Sequence, residues 1–421
     1  MIREIYDYIN RLTIIDTHEH LPAFEHRRAD NDVIAELLTH YLSVDLVSAG
    51  LPKEDLRLAT GSTLSAAEKW QLIAPFWEVC RYTGYCRAVE LSIREIYGVE
   101  KINADTIEVL NDAYRRGFQE EHYKKVLKDK CKIELSILDD VRGCGDLQCD
   151  KDYFILSNRL DSMIFPKTGE DIVFLEKATG ITISTFENYL QACETRLEQY
   201  RTVSHICKLG IAYSRSLSFP RATRQEAEAG FHKLFSSGYY IDKEEQTYCC
   251  TPAFTNYMLR FFLSLMQERG MILQVHTGIQ EGNGNILAHS NPANLNELFL
   301  EYPKVKFDLF HIGYPYQNEL GALCKMFPNV YADMCWAHII SPVGARRALS
   351  EWLELFSYKK ISGFGGDYLL IDGVYGHSVI ARKNIAEVLS EKVTDGLFDI
   401  DTACSIGKAL LYDNPKEIFE L

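Results

Sequence analysis

The chain has 421 residues, of which 47% are hydrophobic, 12% aromatic and 25% charged. This composition excludes a disordered, collagen-like or coiled-coil protein. Lys plus Arg number 45 against 59 Asp plus Glu, a net charge of −14, which argues against a general binder of nucleic acid or anionic membranes.

In chain order, the first residues, Met1-Ile2-Arg3-Glu4, carry neither an apolar core nor a cleavage site. Short apolar runs of strand type then alternate with helical patterns, the signature of βαβ units and a parallel sheet. Eight runs are expected as strands: Thr13–Thr17, Ile133–Leu138, Tyr153–Ser157, His205–Ala212, Ile272–His276, Val305–His311, Val330–Met334 and Ile361–Phe364. Most are continuously apolar, as expected of strands covered on both faces. Helices are expected over Thr185–Thr202, Asn291–Tyr302, Gln317–Phe327, Gly344–Ser357 and His377–Leu389, with Ser184 or Thr185 capping the first and Pro292 near the start of the second.

Two stretches exceed what a barrel needs. About 22–132 reads as helices over Asn31–Leu42, Ser65–Thr83, Ala88–Tyr97 and Ala104–Leu127, and about 219–269 forms a second insertion. Neither a linker nor a repeat marks a further domain. The expected architecture is one domain over 1–421, an α/β fold of the distorted (β/α)₈ TIM-barrel type with helical insertions. The apolar stretch Tyr257–Met266 is interrupted by charge and far short of the ~18 residues of a membrane span. The 12 cysteines are too sparse for a disulfide scaffold, so reduced thiols and a cytoplasmic location are expected.

Chemistry gathers at strand ends. The first run leads into Asp16-Thr17-His18-Glu19-His20, and side chains two apart on a strand share a face. Two converging imidazoles make half of a zinc site. His276 ends the fifth run, His311 ends the sixth, and Asp367 follows the eighth. The C-terminal ends of barrel strands are where active sites of this fold sit. Lys208, inside the apolar fourth run, is costly to bury as a free cation. It either pairs with an acid or reacts with CO₂ to give a carbamate that bridges two metals. Tyr213 and Arg215 follow the same run and are candidates for the pocket wall, Arg215 as a bidentate partner of a substrate carboxylate. The Gly282-Asn283-Gly284-Asn285 loop lacks the context of a dinucleotide site.

The ordered set His18 and His20, Lys208, His276, His311 and Asp367 resembles the amidohydrolase superfamily, and Asp16-Thr17-His18-Glu19-His20 with its helical insertion is similar to the uronate isomerase-like branch. The resemblance implies a divalent ion, for which zinc is best suited, as one ion or two, with ligands among His18, His20, Lys208, His276, His311 and Asp367. It implies catalytic roles for Asp367 and His311. A bound ion makes hydroxide available near pH 7. The expected activity is therefore a metal-dependent hydrolase that attacks an amide, lactone or ester carbon of a small polar substrate. A uronate isomerase-like sugar-acid isomerase or a metal-dependent decarboxylase is the alternative. A small molecule is the expected partner, with no nucleic acid or membrane, and a homo-oligomer is left open.

Overall fold

The computed structural model describes residues 2–23, 31–38, 40–117, 119–139, 147–237 and 250–421. Nine strands are found among them: β1 (Ile14–Glu19), β2 (Ile133–Leu138), β3 (Phe154–Leu156), β4 (Asn158–Arg159), β5 (Ile206–Leu209), β6 (Ile272–Val275), β7 (Lys306–Leu309), β8 (Val330–Asp333) and β9 (Ile361–Ser362). They pair in chain order and in parallel, as β1-β2-β3 and as β4 through β9. The ring closes beyond β9, where Thr17 N–H donates to the Phe364 carbonyl, Asp367 N–H to that of His18 and His20 N–H to that of Tyr368. The fold is a distorted (β/α)₈ barrel.

The eight expected runs occupy the eight positions of the ring, with one correction. The third run is split. β3 pairs with β2, whereas β4, just past Ser157, pairs with β5, so one barrel position is shared by two short strands. The fourth and sixth runs are shorter than expected. Ile211–Tyr213 and His311–Gly313 leave the ladder as single 3₁₀ turns that carry their side chains over the barrel mouth.

The helices follow from their caps and apolar faces. Thr185 accepts from Asn188 N–H and opens Phe186–Arg201, and Pro342 sits in the first turn of Pro342–Leu355. The helix after β9 runs from Ile371 to Thr394, well beyond the span expected. The helix expected over Asn31–Leu42 is instead two, Val33–Leu37 and Leu42–Ser48, broken at Tyr41 with φ +57°. With Ala66–Cys80, Gly84–Tyr97 and Ile107–Arg116, these close a separate apolar cluster around Leu46, Trp70, Trp77 and Ile93. That insertion meets the barrel through Gly84–Tyr97 and Ile371–Thr394, where a side chain on Gly376 would overlap the Ala88 carbonyl. Of the expected insertions, residues 24–30, 39, 118 and 238–249 lie outside the described residues.

A barrel interior is ordinarily packed with Val, Ile and Leu. Here one layer is polar. Lys208, Gln274 and Asp308 are register neighbours on β5, β6 and β7, and Asp333 pairs with Ser362 across β8 and β9. All five are buried. No helix among the described residues is long and apolar enough to cross a membrane.

Candidate metal centre

All of β1 is buried, and its bonds aim the two imidazoles upward. The Asp16 carboxylate accepts from His18 N–H at 3.2 Å, Gly366 N–H at 3.0 Å and Ser136 Oγ at 3.2 Å. His20 Nδ1–H donates to the Asp139 carbonyl at 2.7 Å, which leaves Nε2 with its lone pair facing the site. His18 Nε2 lies 3.3 Å from His20 Nε2. Asp367 Oδ1 lies 3.4 Å from His18 Nε2 and 3.2 Å from His20 Nε2. Ligands held at ~2.0–2.1 Å around a tetrahedral ion are separated by roughly 3.3 Å. The three donor atoms therefore have the spacing of one face of such a tetrahedron, and the fourth corner opens away from them.

The electrostatics agree. Burial, helped by Lys208 and His20, lowers His18 well below the usual histidine range and keeps it neutral, the form able to ligate a metal. Burial alone would raise Asp367. The neighbouring His20, His311 and His18 imidazoles outweigh burial and hold its carboxyl well below the usual range instead, so it is an anion at neutral pH.

Asp367 has φ +61°, uncommon for a residue with a side chain, and the surrounding backbone is pinned throughout. Gly363 O accepts from His338 Nε2–H, Gly366 O from His377 Nδ1–H, and Asp367 O from the Tyr41 hydroxyl. Tyr368 N–H donates to Glu19 Oε2 at 2.8 Å. A side chain on Gly366 would overlap Glu19 Oε1. His311, Trp336 and Tyr41 also have φ near +60°. Non-glycine residues in that region persist only where surrounding bonds enforce them, and such strain clusters at functional sites.

His276 and His311 form a second pair rather than joining His18 and His20. His276 Nε2–H donates to Ile279 O at 3.1 Å, and His311 Nδ1–H donates to Cys335 O at 3.0 Å. Their inner nitrogens face each other at 3.0 Å. His311 Nε2 is 3.8 Å from the other Asp367 oxygen, Oδ2. Lys208 Nζ lies 3.4 Å from His18 Nε2 and 3.4 Å from the Phe310 ring centroid, and burial lowers its pKa.

A cavity of about 820 Å³ opens over the His20 side, lined by Asp139, Arg159, Lys167, Tyr213 and Glu281 among others. Arg159 Nε donates to Asp139 Oδ1 at 3.0 Å, and a second guanidinium nitrogen also reaches that carboxylate. Tyr213 is on the cavity wall, and its hydroxyl accepts from Glu281 N–H at 3.0 Å. Arg215 was expected there too, and the structure corrects this. Its guanidinium bonds Thr255 Oγ1, Ser216 O and Ser218 O and lies over the Phe219 ring, off this wall. The sequence reading missed Asp139, Arg159 and Tyr41. Asp139 does carry a signal, the first of two consecutive acids directly after the β2 run. Arg159 and Tyr41 carry none that separates them from surface residues.

A family model described as amidohydrolase matches residues 221–421. The protein fluG of Emericella nidulans is 30% identical over 150 residues, a match spanning 35% of this chain and only 17% of that protein. The uronate isomerase of Thermotoga neapolitana is 23% identical over 448 residues, covering 99% of this chain and 96% of its own length. The solved uronate isomerase of Thermotoga maritima superposes with a TM-score of 0.79 at 20% identity, over 99% of this chain and 97% of that one. The expectation of a hydrolase is corrected by these findings. The curated relatives that match from end to end are uronate isomerases, and the His18, His20 and Asp367 set by itself does not choose between the two chemistries.

Proposed function

Because the chain belongs to the amidohydrolase superfamily, we propose that it is a metal-dependent isomerase of open-chain uronic acids, interconverting aldose and ketose forms. The observation that carries this reading is the end-to-end likeness to uronate isomerases in both sequence and fold. The reading takes 1–421 as one barrel with insertions.

His18, His20 and Asp367 would hold the ion, and two imidazoles with a carboxylate and an open position suit zinc. When bound, the ion supplies Lewis-acid polarisation of the substrate carbonyl. We read one ion as sufficient, with Lys208 an unmodified amine, because the Phe310 ring face covers its Nζ.

The reaction moves one proton from C2 to C1 and one from O2 to O1, leaving composition unchanged. Asp367 Oδ2, the oxygen turned away from His20, is placed to take the carbon-bound proton and return it. His311 Nε2 can hold that proton, since its other nitrogen is committed to Cys335 O. Arg159 and Lys167 are the cationic side chains on the cavity wall, and they attract the substrate carboxylate. Tyr213 borders the sugar chain.

The test is a panel of hexuronates incubated with zinc-loaded protein and followed by proton NMR. A ketose product from at least one member is expected. Absence of turnover across the panel, with metal bound and the fold intact, would overturn the reading.

A further inference from the structure

Cys335 has no part in the reaction just described, yet it is built into the centre. It follows β8 and is fully buried. Its N–H donates to Asp333 Oδ1 at 2.7 Å and its carbonyl accepts from His311 Nδ1–H, so its backbone is fixed on both sides. One donor atom each from His311, Cys335 and Asp367 lies within 4.8 Å of the other two.

Two further observations point to a cation there. Asp367 divides its carboxylate. Oδ1 faces His18 and His20, while Oδ2 faces His311 Nε2 at 3.8 Å. In addition, His276 and His311 have each given their outer N–H to a backbone carbonyl, so the two nitrogens 3.0 Å apart both present lone pairs. No proton remains between them in the neutral rings, and a positive ion beside them would relieve the repulsion.

We propose that His311, Cys335 and Asp367 form a second metal subsite, selective for a thiophilic divalent ion and sharing the Asp367 carboxylate with the first. Sulfur, nitrogen and one carboxylate oxygen suit zinc, cobalt or cadmium, whereas magnesium and calcium seek all-oxygen sites. As the metal–sulfur bond forms, the S–H bond breaks and its proton leaves to solvent. An ion here would occupy Asp367 Oδ2. Excess thiophilic metal should therefore slow an enzyme that uses that oxygen, but binding itself does not depend on which reaction is catalysed.

The experiment is a titration of the metal-free full-length chain with Co²⁺, read by absorption. The first equivalent, about one ion per chain, should give only the visible bands of cobalt held by nitrogen and oxygen. The second should add a near-ultraviolet thiolate-to-cobalt band. Cys335→Ser should keep the first set and lose the second band. Where that variant does not fold, X-ray absorption on wild type at one and two zinc equivalents takes its place, and a sulfur neighbour should be found only at the higher loading. No thiolate band and no sulfur neighbour at any loading would overturn the proposal. So would a band that survives in folded Cys335→Ser.

Discussion

Two histidine pairs stand a few ångströms apart in this barrel and differ in how their outer nitrogens are used. In the His18/His20 pair, His20 is tied to the Asp139 carbonyl and both Nε2 atoms converge on Asp367 Oδ1. In the His276/His311 pair, both outer N–H groups are spent on the backbone, and the inner nitrogens face each other, with His311 Nε2 3.8 Å from Asp367 Oδ2 rather than on Oδ1. All four are strand-end histidines. What separates a ligand from a proton holder is the carbonyl behind each ring and the carboxylate oxygen in front of it, neither of which a residue type specifies.

The sharpest break in this comparison is at Asp367, which serves both pairs. Asp367→Asn should lower kcat/KM by about 10³-fold or more, because it removes a ligand and a proton carrier together. Metal analysis should show a partial loss of the ion. Near-normal kcat would mean that the proton travels by another group.

Next is the hydrogen bond behind one ring. The carbonyl that His20 uses is backbone and cannot be mutated away, but Asp139 also holds Arg159. Asp139→Ala should loosen this wall and weaken metal binding about 10- to 100-fold, the range typical of groups that orient a ligand. Competition with a chelator measures it. The His276/His311 pair, which makes no contact with Asp139 in the structure, should keep its NMR signals in place.

Gly366→Ala tests whether the Asp367 turn is as rigid as its bonds imply. The added methyl would overlap Glu19 Oε1. A loss of about 1–3 kcal/mol in denaturant unfolding is expected, with reduced metal content. An unchanged midpoint would show that the turn can yield.

Beneath both pairs, Asp333 is raised to about 7 by burial, with Asp308 and Lys208 close by. The folded chain therefore keeps a proton that the unfolded chain releases near pH 4. Stability from this group is fully present below that pH and is lost as pH rises toward 7. Asp333→Asn should flatten this fall and raise the melting temperature at pH 8 relative to wild type. An unaltered pH profile would contradict the shifted carboxyl.

The sequence makes the ring of strands legible because the parallel strands lie in short, mainly apolar runs, Phe154–Leu156 being a clear case. It makes His18, His20 and Asp367 legible as a set because a strand alternates faces and barrel ends converge. The split of β3 from β4 was not legible, since Tyr153–Ser157 reads as one run and only its neighbours decide its pairing. Arg159 and Arg215 show the same limit at the site. One ends a strand and the other lies beyond one, and only the fold turns Arg159 to the cavity and Arg215 to Thr255 and Phe219. The reaction was the least legible, because it depends on what is placed beside the ion and not on the ligands.

The smallest effects separate those two arginines. Arg159→Gln should raise KM for a uronate about tenfold, equal to about 1.4 kcal/mol. Arg215→Ala should leave KM unchanged and cost about 1 kcal/mol of stability at most, through lost packing on Phe219. Equal effects on KM would remove the distinction.

The central claim is that the His18/His20/Asp367 centre serves proton transfer between adjacent carbons. The most direct measurement is mass spectrometry with NMR on hexuronates turned over by zinc-loaded protein in D₂O. The account predicts a ketose of unchanged composition, with deuterium found only at C1 of the product. Product formation without any solvent deuterium at C1, or a product heavier by one water, would contradict it.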